Sequence, residues 1–388
     1  MTSSFKRFIH TPEGIGALLF TMLCLALLVA NSPLNASYET LLSLPLTIGI
    51  AQFQLSKPLL LWVNDGLMAV FFLSLALEIK KEMLSGDLAT PKKALLPCFA
   101  ASGGVLIPAL IYLACTHHTP TEQAGWPIPT ATDVALSLAA VAALGSRVPS
   151  ALKTFLMALA IVDDVIAIAI IALVYTHELS STSIALAFLG IIFLLLSNLF
   201  KIRNLGIYLL IGIAMWLCVL QSGIHATLAG VILGFTIPGN KRNPEQSPLF
   251  RLHHNLHPWV VYFILPVFIF FNGGLSFSEF TLSSLTHPIS LGVILGLWLG
   301  KTIGIFLISA LLIKMKIAHQ PNNTTWFEFL GICAFAGIGF TMSLFLASLA
   351  FDSASNELLA RQGIFIGSSL ALLTGTLLFL IKKDVRSK

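Results

Sequence analysis

Long apolar runs separated by short polar connections set the architecture of this chain. About twelve segments are long enough, or nearly so, to cross a bilayer as helices. They are approximately Ile15–Ala30, Pro58–Ile79, Ala94–Ala114, Pro127–Leu144, Ala151–Tyr175, Ser183–Phe200, Leu205–Leu220, Ile224–Ile237, Leu256–Phe271, Ile289–Ile313, Phe327–Phe351 and Gly363–Ile381. The pattern predicts an all-α polytopic membrane protein, with residues 1–388 forming one integral membrane domain. The connections are too short to hold a soluble domain. One of them, Pro45–Lys57, alternates apolar and polar residues over part of its length. It reads either as a small extramembrane β-hairpin or as an irregular loop.

Composition agrees with the pattern. The chain is 56% hydrophobic and only 10% charged, where soluble proteins carry about a quarter charged residues. Mean hydropathy is +0.91. The net charge of +5 calls for no nucleic-acid partner. With a cytoplasmic N-terminus, all but three of the 22 lysines and arginines fall on the inner side. Lys57 and Arg361 fall outside and Lys301 lies within a span, so the positive-inside rule places both termini in the cytoplasm. The first apolar run follows Lys6 and Arg7 as a signal peptide would, but with so many later spans it reads as a retained first helix. Cys24, Cys98, Cys115, Cys218 and Cys333 all sit in apolar segments without a CxxC. They read as packing residues, and no cofactor is expected.

The chemistry lies in charges at membrane depth. Asp163 and Asp164 stand near the middle of ALKTFLMALAIVDDVIAIAIIALVY, where a carboxylate costs about 3 kcal/mol on insertion scales. Adjacent helix positions point about 100° apart, so the two carboxyls meet different partners. The fourth segment reads WPIPTATDVALSLAAVAALG. Pro127 and Pro129 interrupt a helix, and Thr130, Thr132 and Asp133 favour the start of a new one. The plainer alternative is a proline kink with an N-capping aspartate. In the eleventh segment, CAFAGIGFTMSLFLASLAF, Gly337 and Gly339 weaken the helix, and Thr341 and Ser343 can satisfy freed backbone groups. The two interrupted segments run in opposite directions, each the middle of three spans. This predicts an inverted repeat, residues 94–175 against 289–381, forming an ion-transport core. Lys301, near the centre of the tenth span, is too deep to snorkel easily and needs either helix C-terminal carbonyls or an acidic partner, for which the chain offers Asp163, Asp164 and Asp133. Asp65, Glu78, Glu82 and His225 are weaker candidates near span ends, and His253, His254 and His257 cluster in an inner loop.

Carboxylates, hydroxyls and freed carbonyls make an oxygen-rich site suited to a hard cation. Such a site holds protons or a small cation in competition, and alternating exposure turns competition into exchange. If two protons leave per monovalent cation, the exchange moves net charge. A sodium-coupled solute symporter is the alternative transport reading. An intramembrane aspartyl protease, pairing Asp133 with Asp164, is an alternative of another class. It leaves Lys301 and the paired breaks without a role. No Walker loop or HExxH motif points to an enzyme.

TATDVAL around Asp133, FLMALAIVDDVIAI, SGIHATLAGVILGF, LHPWV, the LGK of Lys301 and GIGFTMSLF together resemble the bacterial NhaA sodium/proton antiporters over essentially the whole chain. Members of that family are among the known inverted-repeat transporters. The resemblance implies twelve helices with spans four and eleven interrupted where they cross at mid-membrane. It implies Na+ bound at Asp164 with Asp133 and Thr132, Asp163 next to the site, Asp133 facing positive helix ends, and Lys301 facing negative ends and pairing with Asp163. Glu78, Glu82, His225 and His254 match positions tied to pH response. Residues 1–93 and 205–271 would form an interface panel, with homodimers meeting through the outer hairpin. Exchange of Na+ or Li+ for protons, activated at alkaline pH in a bacterial inner membrane, is the implied activity. Two inner positions depart from the family pattern: His253 replaces an acidic residue and Lys81 an arginine.

Overall fold

The structure, a computed structural model, describes residues 11–50, 53–86, 88–175, 181–220, 222, 225–241 and 243–381. The basic residues Lys6, Arg7, Arg242, Lys382, Lys383, Arg386 and Lys388, and the Ile224 start of the eighth expected span, lie outside these. The described chain is mostly helical. In order it forms α1 (Pro12–Ala30), α2 (Asn35–Ser43), β1 (Pro45–Ile50), β2 (Phe53–Pro58), α3 (Leu59–Ser85), α4 (Pro91–Cys115), α5 (Val134–Ala143), α6 (Ser150–Val174), α7 (Ser181–Leu199), α8 (Leu205–Leu220), α9 (Thr227–Thr236), α10 (Pro248–Asn272), α11 (Pro288–Lys314), α12 (Trp326–Phe335), α13 (Phe340–Ala350) and α14 (Ala354–Ile381), with short turns between.

Among the described residues, eight helices are long and apolar enough to cross a membrane, and α12 with α13 forms a further pair bent by 46°. The helices α5, α8 and α9 are apolar but shorter. The protein is therefore a multi-pass membrane protein. The short or broken helices are those of expected spans four, seven, eight and eleven. Their interruptions are local and chemical. Before α5 the chain forms a 3-10 turn, Ile128–Thr130, then extended backbone at Ala131 (φ −83°, ψ 150°) and at Asp133 (φ −85°, ψ 100°). This is a full break and not a kink in a continuous helix. The connection at Pro45–Lys57 is a hairpin: β1 pairs antiparallel with β2, from Pro45 opposite Pro58 to Ile50 opposite Phe53. Its base is tied to α3 by Lys57 Nζ on Asp65 Oδ2 at 2.8 Å and by Trp62 Nε1 donating to Leu46 O at 2.9 Å.

The chain divides into two compact units, Met1–Thr21 with Thr90–Ala167 and Leu275–Lys388, and Met22–Ala89 with Ile168–Gly274. The core of the first is built from Leu152, Phe155, Leu156, Ile305, Phe329, Phe335 and Phe379. There α4 and α11 approach at backbone distance, through glycines spaced four apart on α11. A Cβ on Gly300 would stand 2.9 Å from Pro108 Cα, and one on Gly304 would stand 2.8 Å from the Gly103 carbonyl carbon. Small residues permit such contact, which gives membrane helices much of their packing energy. Immediately before Lys301, α11 widens into a π-turn, Gly296–Gly300. Glu328 is buried at the start of α12, where its Oε2 accepts from Thr325 N at 2.7 Å in a capping box.

The second unit packs α3 against α9, with α7 and α8 closing a core of Leu77, Tyr208, Met215 and Leu233. Lys80 Nζ donates to Phe235 O at 2.6 Å and Ile237 O at 2.7 Å, a cation on the last carbonyls of α9. Two π-turns occur here, Val63–Leu67 in α3 and Val260–Ile264 in α10. Asn64, inside the first, exchanges amide hydrogen bonds with Asn272 at 3.2 and 2.9 Å, both side chains buried.

Candidate functional site

The first unit gathers charges where two helices are interrupted. Asp133 is the N-cap of α5, and its Oδ1 accepts from Leu136 N at 3.0 Å. Its Oδ2 accepts from Thr341 N at 2.9 Å and from the Thr341 hydroxyl at 2.6 Å. Thr341 is in the first turn of α13. One carboxylate thus faces the N-termini of two helices, where helix dipoles favour negative charge. Its own N–H donates to Ile338 O at 2.6 Å, inside the break between α12 and α13.

The cation faces carbonyls. Lys301 is fully buried. Its Nζ donates to the carbonyl of Thr130, the end of the 3-10 turn. It also lies 2.8 Å from Asp163 Oδ2. The same oxygen accepts from the Thr132 hydroxyl at 2.6 Å, and Thr132 Oγ1 is 2.9 Å from Ala336 O as well. Asp163 Oδ1 is buried without a hydrogen-bond partner among the described residues. Asp164, 2% exposed, lies on another face of α6, near enough for its charge to act on Lys301.

Inside an apolar surround, a buried backbone group released by a break needs a hydrogen-bond partner. Two of the partners are side chains of the opposite break, and a third comes from α14. Ser343 Oγ donates to Ile128 O at 2.7 Å, Ser137 Oγ donates to Phe335 O at 2.9 Å, and Gly339 N donates to Ser368 Oγ at 3.3 Å. Of these, Ser137 and Ser368 were not singled out by the sequence. Their signal is faint: Ser137 follows Asp133 by one helical turn, and serine is common in membrane helices. Pro129 lies in the 3-10 turn, against Gly296 of α11. Gly337 and Gly339 flank the α12–α13 break, but neither has a positive φ. A Cβ on Gly339 would stand 2.7 Å from Leu297 Cδ2 and 2.9 Å from Ala131 O, and one on Gly337 would stand 3.0 Å from Ala371 Cβ. Close approach, not left-handed backbone, explains these glycines.

The structure thus joins Asp163 to Thr132 and Lys301, and Asp133 to the helix ends. It engages both Asp133 oxygens and the Thr132 hydroxyl within the protein. Among the described residues, no group of three or more His, Cys, Asp or Glu side chains could hold a metal ion.

The remaining candidates lie in the second unit. Near the end of α3, Lys81 Nζ is 3.8 Å from Glu82 Oε1 and acts electrostatically on Glu78. Lys81 also acts on His253 and His257 of α10. Within α10, the His253 and His257 rings stack at 5.7 Å, and exposed His254 stacks on Phe250 at 6.3 Å. His225 precedes α9, its ring edge-on to Tyr175 at 6.3 Å.

Residues 6–379 match the family described as Na+/H+ antiporter 1. The chain is 48% identical to the Na+/H+ antiporter NhaA of Pseudomonas putida strain GB-1 over 377 residues, covering 97% of this chain and 96% of that one. It is 46% identical to Na+/H+ antiporter NhaA 2 of Saccharophagus degradans over 374 residues, with 96% and 98% covered. It is also 46% identical to NhaA of Yersinia enterocolitica serotype O:8 over 380 residues, with 97% and 96% covered. A match of this length and identity makes the chain a member of the Na+/H+ antiporter 1 family.

Proposed function

We propose that this protein exchanges Na+ or Li+ for protons across a bacterial inner membrane, electrogenically and with activation at alkaline pH. The observation that carries the reading is the fully buried Asp163–Lys301 pair, set beside Asp164 at the meeting of two interrupted helix segments. Asp164 is the principal cation ligand and carries a proton when the cation has left. Thr132 and Asp133 complete the cation site once ion entry loosens their internal hydrogen bonds, and Asp163 lies next to it. Lys301 holds Asp163 charged in the empty site, and a second displaced proton resides on this pair. The lysine also balances the Thr130 carbonyl, as Asp133 balances two helix N-termini. A fixed scaffold of this kind lets Asp164 alternate between proton and cation without exposing an uncompensated charge.

On this reading the chain spans the membrane twelve times, with both termini cytoplasmic. The fourth and eleventh spans cross at their breaks. Residues 94–175 and 289–381 form the transport core. Residues 1–93 and 205–271 form the interface panel, and the hairpin joins two copies in a homodimer. Glu78, Glu82, His225 and His254 set the pH response, with no cofactor beyond the transported ions. The protease alternative fits poorly, because it leaves the fully buried Lys301 and the paired helix breaks without a role.

Everted membrane vesicles with a pH-gradient dye test the reading. Added Na+ collapses the respiration-driven gradient in the parent, and Asp164→Asn abolishes the response. A normal response from the variant rules out this site.

A further inference from the structure

The hydrogen bonds across the two breaks have a symmetry of their own. Asp133 is the N-cap of α5 and Gly339 that of α13. Ser137 and Ser343 each follow their N-cap by one helical turn, in the sequence and in space. Each hydroxyl then leaves its own segment and donates to a carbonyl of the other: Ser137 to Phe335, the last residue of α12, and Ser343 to Ile128, the first residue of the 3-10 turn. Both serines are fully buried. A serine within a helix more often bonds back to its own preceding turn, as Ser369 does to Phe365 O at 2.7 Å. Here both hydroxyls give up that local bond for a partner about 200 positions away in sequence.

We propose that Ser137 and Ser343 are reciprocal positioning residues that hold the two interrupted segments in register and so fix the geometry of the ion site. The inference rests on the reading of Asp163 and Asp164 as that site. Neither serine touches those carboxyls. Each acts through the segment it holds. Ser343 anchors the turn whose last carbonyl receives Lys301, and Ser137 anchors the end of α12, next to the Ala336 carbonyl that faces Thr132. With the clasps closed, Thr132, Asp133 and Lys301 are set before an ion arrives. With a clasp open, ion binding must first order the joint, and this appears as weaker apparent affinity. The two clasps differ in one respect: Phe335 O also receives Ile338 N at 3.2 Å, so losing Ser137 leaves that carbonyl a partner. The Ser343 clasp is the stronger constraint.

The test is Na+-dependent proton flux in proteoliposomes of the full-length protein at fixed pH and clamped membrane potential. Ser343→Ala raises the apparent Na+ KM about tenfold and Ser137→Ala about threefold, the scale of one lost buried hydrogen bond, with maximal turnover kept. Because both clasps hold one joint, the double variant stays near tenfold and does not reach the roughly thirtyfold product of independent sites. Ser343→Cys, which is slightly larger than serine and keeps only a weak donor, falls between parent and alanine variant. It also serves as the measurement if Ser343→Ala does not fold. Unchanged KM in the Ser343 variants, an effect confined to maximal turnover, or a double variant at the product overturns the proposal. Asp164→Asn run alongside separates the two readings: if that variant exchanges normally the site itself is misassigned, whatever the serines do.

Discussion

Two regions of this protein gather titratable side chains, and they treat them in opposite ways. Around Lys301, every charged group is buried, and Asp133, Asp163 and Lys301 each meet a backbone or side-chain partner at hydrogen-bond distance. Around Lys81, near the end of α3, the groups are half-buried or exposed, and the ion pair to Glu82 is loose at 3.8 Å. In the first region, geometry determines whether the charges can exist at all. A buried pair repays its desolvation only with good geometry and further hydrogen bonds. In the second, solvent screens each interaction and many arrangements have similar energy. The first suits a site that must discriminate between ions, and the second a site that must respond gradually to its surroundings.

The largest expected effect lies in the buried region. Lys301→Ala leaves Asp163 buried with a broken pair and costs about 3–5 kcal/mol of stability, read as a large drop in melting temperature in detergent. Adding Asp163→Asn restores most of it, since the uncompensated charge is gone. If the double variant melts no higher than the single one, the pair is not what holds this region together. Next comes Asp133→Ala, which strips caps from α5 and α13 together and costs about 1–2 kcal/mol for each helix end. Asp133→Asn keeps an acceptor and loses less in the same melting assay; equal losses would mean that the charge, and not the caps, matters. The smallest effect belongs to the half-exposed region. Glu82→Gln changes stability by less than about 1 kcal/mol, yet moves the pH of half-maximal exchange in proteoliposomes while leaving maximal exchange in place. A melting shift as large as that of Lys301→Ala would erase the distinction between the two regions.

The sequence made the buried region legible because each of its components is expensive there. Adjacent aspartates, a mid-span lysine and two prolines before Thr-Ala-Thr-Asp have few structural excuses in an apolar run. Asp163 and Asp164 were separable in advance, since one helix turn cannot point both at Lys301. The break after α12 was visible through Gly337 and Gly339, but for another reason than the one found: their hydrogens make room for Leu297 and Ala131. Ser137 and Ser368 were not visible, because a serine in a membrane helix is cheap when it bonds to its own turn. Only the fold shows that Ser137 does not. The Asn64–Asn272 pair was hidden likewise, its members lying 208 positions apart. Helix lengths were legible where apolar runs are long, as in α4 and α6, and least so at α5 and α9, where loop chemistry sets the ends.

The π-turn before Lys301 acts as a phase shifter. A turn of this kind carries one residue more than the α-helical turn it replaces, and one residue corresponds to about 100° of rotation around the axis. Everything on α11 after Gly300 is therefore out of step with everything before Gly296. Deleting a single residue from Gly296–Gly300 would restore a regular helix of the same span. Such a deletion would leave the ammonium group facing Asp163, whereas winding all the residues present as a plain α-helix would swing it about a quarter turn away. The address of this lysine is thus written in the winding of the turn before it as much as in the kind of residue.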